Sequence, residues 1–203
     1  MRAGYLAVSG LLLAASPAAA VELDFGIVKT LEQLSLPVPD PANPIVCHGF
    51  GCAYRTPILL RNADRAQIKK LFGGAAAKSP EGERKALAAA MAWFEKRVAA
   101  EAGTTKAKAR AGLGNAGDPS QFDCLDKTSN TLGLLAVVAE MGLLRHHAID
   151  APESRGLIIG GLPHTTAVVR ERKSGQKWVV DGWTHNNGEL PDVMPLETWR
   201  TQS

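Results

Sequence analysis

Three residues, taken in chain order, could carry out nucleophilic catalysis: a thiol at Cys124, an imidazole at His164 and a carboxylate at Asp181. A thiol attacks a carbonyl as its thiolate, so a base must take the proton and a third group must orient that base. Cys124 stands out by counting. The chain has three cysteines. Cys47 and Cys52 enclose His48-Gly49-Phe50-Gly51, where two glycines let the chain turn tightly, so a disulfide is expected there. Closing so short a loop stabilises by about 2 kcal/mol in the chain-entropy account. Cys124 is then left over, and an unpaired thiol in an oxidising compartment is a liability unless it is buried or used. A buried, inert cysteine is the competing reading.

The elements around these residues suit the chemistry. Asp123-Cys124-Leu125-Asp126 opens a predicted helix running to about Leu144, nearly all apolar from Leu132 to Met141. Such a helix is buried on most of its circumference and is the expected central element. Its N-terminus carries partial positive charge and free N–H groups, which favour a thiolate and can receive an oxyanion. Asp123 caps the helix but opposes the thiolate. The base must be one of five histidines. His48 lies inside the disulfide loop, His146 and His147 lie at the far end of the central helix, and His185 follows a turn. His164 opens the first strand of a predicted β-hairpin, His164–Arg172 with Lys177–Asp181, and Asp181 closes the second. If Arg172–Gly175 is a four-residue loop, Asp181 faces Thr166 and is the diagonal neighbour of His164. A tight Ser174-Gly175 turn instead puts Asp181 opposite Val168, on the same side but too far away.

Upstream, Val38–Pro57 is rich in proline and glycine and reads as an ordered segment pinned by the disulfide, with a short strand at Ile58–Leu60. Asn62 is a suitable cap for a helix over Ala63–Phe72. Ser79-Pro80 starts a second helix that Gly103 stops after Ala102. Its Leu87, Met91, Phe94 and Val98 recur at helical spacing, as core residues do. Thr104–Phe122 is loop-like, and a further strand is expected over Gly156–Gly161. Helices first and antiparallel strands afterwards imply an α+β fold.

Arg2, the apolar run Tyr5–Ala15 and the small residues Ala18-Ala19-Ala20 have the layout of a secretory signal peptide over residues 1–20. The apolar stretch is short of the ~20 residues that span a bilayer. The expected mature protein is a single domain over 21–203, secreted or periplasmic, with no stable membrane anchor once the leader is removed. The formal net charge of +3 is too small to argue for nucleic acid. Lys106, Lys108 and Arg110 form the densest basic stretch and read as solvated loop.

Cys124 at a helix start, His164 opening a strand and Asp181 closing the next resemble the transglutaminase-like branch of the papain-like cysteine enzymes. His164-Thr-Thr-Ala-Val-Val-Arg and Gly175-Gln-Lys-Trp-Val-Val-Asp181 are similar to that family's histidine and aspartate motifs. Asp123-Cys124-Leu125-Asp126 is similar to the Asp-Cys-Glu-Asp pattern of bacterial transglutaminase-like cysteine peptidases. The resemblance covers about Gln121 to Trp183. It implies a central helix packed on an antiparallel sheet and a Cys124–His164–Asp181 triad acting on peptide or isopeptide bonds. The expected partner is a protein or peptide substrate, cell-envelope proteins included. The Cys124 N–H is expected to donate to the oxyanion, with Gln121 as a second donor. Some bacterial relatives bind calcium near the cysteine. Leu125 stands here where they carry glutamate, which leaves Asp123 and Asp126, and no metal or cofactor is expected.

Two other functions use the same residues. Transamidation needs the same triad, with an amine replacing water. A non-catalytic interaction protein could keep the scaffold. A zinc site at Cys47, His48 and Cys52 is a third reading, and its spacing fits a disulfide better.

Overall fold

The computed structural model describes residues 23–156 and 163–202. The expected leader, and the strand expected over Gly156–Gly161 from residue 157 on, lie outside the described residues. Helix α1 (Phe25–Gln33) begins where Asp24 accepts the Gly26 N–H at 2.8 Å. The sequence pattern did not single it out. Strands β1 (Ile45–His48) and β2 (Tyr54–Pro57) form an antiparallel hairpin across the cysteine loop. The strand expected at Ile58–Leu60 is displaced to Tyr54–Pro57, because the bridge Cys47–Cys52 turns the chain back earlier.

Helix α2 (Asn62–Leu71) starts one residue ahead of expectation. The Asp64 carboxylate accepts the Arg61 N–H at 2.9 Å, so Arg61 takes the cap position and Asn62 the first turn. Helix α3 (Pro80–Ala102) has the expected bounds, from the Ser79 cap to Gly103 in the left-handed region at φ 71°. Leu87, Met91, Phe94 and Val98 are all buried.

Helix α4 (Cys124–Glu140) opens at the expected residue but ends four residues short of Leu144. Gly142, at φ 67°, reverses the chain, and the Leu143 N–H reaches back to the Val138 carbonyl at 3.0 Å. Such a left-handed glycine closes a helix by satisfying its last carbonyls. His146 and His147 are therefore beyond the helix, and His147 opens β3 (His147–Arg155). There its Nδ1 pairs with buried Glu83 at 2.8 Å.

β3, β4 (His164–Glu171), β5 (Lys177–Asp181) and β6 (Asp192–Pro195) form one antiparallel sheet in that order. Short helix α5 (Leu196–Arg200) closes the chain. The fold is α+β, with two antiparallel sheets and five α-helices among the described residues. Helix α4 packs against β4 on one side and β1 on the other. Leu132, Leu135, Val137 and Val138 are its buried apolar core. Truncating such a residue to alanine typically costs about 2–5 kcal/mol. No helix among the described residues is long and apolar enough to cross a membrane.

Candidate active site

The β4–β5 connection settles the register left open above. The Glu171 N–H donates to the Gln176 carbonyl at 2.8 Å, and Ala167 lies opposite Val180. The loop is thus the four-residue Arg172–Gly175, with Gly175 at φ 74° completing the turn. Asp181 comes beside His164 on the same face of the sheet. His164 Nε2 and Asp181 Oδ2 are 2.6 Å apart, and both residues are buried.

Asp181 has further partners. Its Oδ2 also accepts the Trp199 Nε1–H at 2.8 Å, and its Oδ1 accepts the Trp183 backbone N–H at 3.2 Å. Burial pushes the Asp181 carboxyl up. The hydrogen bonds from His164, Trp199 and Trp183 outweigh it, and the net result is a carboxyl held below its ordinary range. An ionised Asp181 accepts only, so Nε2 of His164 must carry the proton that joins them. Neutral His164 then has a bare lone pair on Nδ1. That atom is buried and has no hydrogen-bond partner among the described residues. The imidazole is flanked by Trp183, with ring centroids 4.7 Å apart, and Trp199, at 5.4 Å.

Cys124 is the first residue of α4, half-buried, and is free while Cys47 and Cys52 are bridged. Its Sγ lies 3.9 Å from the Pro163 carbonyl oxygen, immediately before His164. Thr128 Oγ1 lies 2.7 Å from the Cys124 carbonyl and 3.0 Å from the Thr165 carbonyl, and so ties the first turn of α4 to β4. The thiol is not the depressed one that the helix start led us to expect. Burial, and then the Asp123 and Asp181 carboxylates, push it up to about 11, against a backbone hydrogen bond from Thr165. The helix end has another occupant. Asp123 Oδ1 accepts the Asp126 N–H at 2.8 Å, and Asp126 Oδ2 accepts the Asp123 N–H at 3.1 Å. This reciprocal cap takes up the positive end of the helix with carboxylates.

The same two carboxylates hold the disulfide loop. Gly49, Phe50, Gly51 and Cys52 are consecutive left-handed residues, at φ 80°, 74°, 62° and 58°. Their peptide groups turn N–H donors toward α4. Asp126 accepts from Phe50 at 2.8 Å and from Cys52 at 2.7 Å, while Asp123 accepts from Gly51 at 2.8 Å. Asn130 grips the same loop, accepting the Cys47 N–H at 2.7 Å and donating to the Cys47 carbonyl at 2.9 Å. Asp126 is fully buried. That burial, and then Asp123, push its carboxyl up to about 7 against its backbone donors. The oxygens considered for calcium are engaged with backbone N–H groups. No group of three or more metal-ligating side chains occurs among the described residues.

The remaining expected residues have other surroundings. His48 is bonded through Nδ1 to the Pro119 carbonyl at 2.6 Å and through Nε2 to Thr56 Oγ1 at 2.9 Å. Its neighbours Cys47 and Cys52 bond each other, which removes the thiolates a zinc ion would need. His185 Nε2 lies 3.1 Å from Asp192 Oδ1, without hydrogen-bond alignment. Gln121 Oε1 accepts the Lys108 N–H at 3.0 Å, and its Nε2 donates to Ser120 Oγ at 3.3 Å. A cleft of about 320 Å³ opens beside Cys124, bounded in part by Phe50, Leu113, Leu125 and Trp183.

Sequence reasoning missed Trp199, Asp126 as a clamp on the loop, and Asn130. Trp199 carried no signal, since it reaches Asp181 from a separate helix. The Asp123/Asp126 spacing of a capping box was legible, but not what else the two carboxylates would hold. No protein-family model, curated protein or solved structure matches the chain.

Proposed function

We propose that this protein is an exported cysteine-dependent acyl-transfer enzyme with a papain- or transglutaminase-like core, acting as a hydrolase of peptide or isopeptide bonds. One observation carries the reading: His164 gives Nε2 to Asp181 and keeps a buried Nδ1 with no partner among the described residues, on the residue next to the backbone that the free Cys124 thiol touches. His48, by contrast, has both ring nitrogens hydrogen-bonded.

In the reaction, Cys124 Sγ bonds to the substrate carbonyl carbon and its proton passes to His164 Nδ1. The imidazolium is stabilised by the Asp181 carboxylate. The Cys124 backbone N–H lies at the first helical position, where a helix has no intrahelical acceptor, and donates to the oxyanion. Gln121 Nε2 gives one N–H to Ser120 and has a second N–H with which to join it. The tetrahedral species collapses, the C–N bond breaks, and His164 returns its proton to the departing amine. Water then attacks the thioester with His164 again as base, which releases the acid and the thiol. The thiol is held up near 11, so it is deprotonated during attack rather than standing as a thiolate.

The test is incubation of the purified protein with a mixed peptide library, read by mass spectrometry for new termini. Cleavages present with the native protein and absent with Cys124→Ala are expected. Identical products from both proteins, or none from either, would overturn the reading.

A further inference from the structure

The cleft beside Cys124 is assembled from seven separate segments: Leu34 after α1, Phe50 in the disulfide loop, the stretch Ala111–Leu113, the start of α4 with Leu125, Ser154 on β3, Pro163 and Thr165 at β4, and Trp183 after β5. Leu113 stands at its edge with 72% of its surface exposed. Among the described residues, the one charged side chain in the wall is Asp123, and its two oxygens are taken by the Asp126 and Gly51 N–H groups. The wall hydroxyls of Ser154 and Thr165 lie 2.8 Å apart and bond each other. A charged or amide side chain entering this cleft would lose water and, among the described residues, meet a largely apolar wall whose carboxylate and hydroxyls are already engaged with protein groups. An apolar one would cover apolar surface.

The wall is also held in place. Phe50 sits at φ 74° with its N–H on Asp126, Leu125 is on the first turn of α4, and the Trp183 carbonyl accepts the Arg110 N–H at 2.9 Å. At about 320 Å³ the space is at the small end for ligand sites. It suits one large side chain and its adjoining backbone.

We propose that this cleft is the specificity subsite of the enzyme, selecting peptides with a large apolar residue, of the leucine, methionine or phenylalanine class, beside the cleaved bond. Glutamine, glutamate and lysine are rejected at that position. The inference rests on the reading of Cys124 as the acyl-accepting nucleophile and adds the substrate class.

The experiment uses four peptidyl chloromethyl ketones that differ only in the residue next to the reactive carbon: Leu, Phe, Gln or Lys. Alkylation of Cys124 in the purified protein is followed by mass spectrometry. Leu and Phe reagents are expected to react at least ~10-fold faster than Gln and Lys reagents, the scale of discrimination an apolar pocket provides. Leu113→Asp, at an exposed position where folding is not at stake, is expected to lower the Leu-to-Lys rate ratio. Equal rates across the four reagents, a preference for Gln or Lys, or an unchanged ratio in Leu113→Asp would overturn the subsite. Failure of the underlying reading looks different. In that case no reagent modifies Cys124 faster than iodoacetamide modifies a free cysteine, and the subsite falls with it. Graded labelling without hydrolysis of the matching peptide amides would keep the subsite and overturn the hydrolase.

Discussion

Asp126, one turn into the helix that Cys124 opens, accepts the backbone N–H of Cys52 at 2.7 Å. The disulfide loop and the start of the nucleophile helix are thereby one unit, although the two residues are 74 positions apart. Asp126 Oδ2 holds Phe50, a wall of the cleft, in the same way. The bridge therefore supports the site as well as the fold.

Removing the bridge should affect both. In Cys47→Ser/Cys52→Ser the loop regains its freedom, worth about 2 kcal/mol. For a domain of this size that is a fall in Tm of about 4–8 °C. Turnover should fall more than the lost stability explains, because Phe50, Gly51 and Cys52 no longer hold their carboxylates in place. Melts and kcat/KM of the variant, measured well below its Tm, check both. Full activity below Tm would detach the loop from the site.

Cys124→Ala should abolish turnover while leaving Tm within about 3 °C of the native value, a change of about 1 kcal/mol. The thiol is half-buried, and its contact with the Pro163 carbonyl oxygen is a long one at 3.9 Å. Calorimetry alongside the activity assay separates chemistry from packing.

Asp181→Asn should cost about 10- to 1000-fold in kcat, less than the ~10⁴ recorded for the equivalent change in a serine protease triad. A thiol loses its proton more readily than a hydroxyl, so it leans less on the third residue. The amide can also hold the wrong imidazole tautomer by donating to Nε2. His164→Ala combined with Asp181→Asn should be little worse than His164→Ala alone, since the two act as one unit. Multiplicative losses in the double variant would argue that they act separately.

Trp199→Phe keeps the ring that packs on His164 and deletes the N–H bonded to Asp181 Oδ2. That bond is one of the causes holding the Asp181 carboxyl down, so its loss raises the folded pKa toward the ordinary value. A depressed carboxylate contributes stability that is complete above its unfolded pKa and is lost as pH falls through the folded pKa. Both the acid limb of the rate profile and the onset of acid unfolding should therefore move to higher pH. A pH–rate series is decisive, because a purely structural defect would lower the plateau without moving the limb.

Alkylation of Cys124 by iodoacetamide should show the same division of labour. With His164→Ala, reactivity should stay low at neutral pH and rise only toward the thiol's own value of about 11. The native protein should react at least ~10-fold faster at pH 7, because Nδ1 takes the proton, and the two profiles should meet at the alkaline end. Overlapping profiles would mean that His164 does not serve the thiol.

Cysteine counting, the helix opening at Cys124 and the hairpin ending at Asp181 were legible in the sequence because each follows from local chemistry. A glycine-rich loop brings two thiols together, a capping box starts a helix, and period-two strands repeat over a fixed loop length. Even there the loop length had two readings, and the Glu171–Gln176 hydrogen bond chose between them. Strand β3 and helix α1 carry no comparable pattern, and α4 stops short of the end its pattern predicts, because Gly142 ends it through its conformation rather than through any change in apolar pattern. What no pattern could supply was the environment of the chemistry. Trp199 reaches Asp181 across 18 residues, from a helix whose position depends on how the sheet and tail pack. The charge at the start of α4 was assigned to the thiol from sequence, but tertiary structure gives it to Asp123, Asp126 and the loop they hold, and burial then raises the thiol. Spacing along a chain encodes the period of an element. A pKa and a hydrogen-bond partner depend on which other elements arrive there, and only packing decides that.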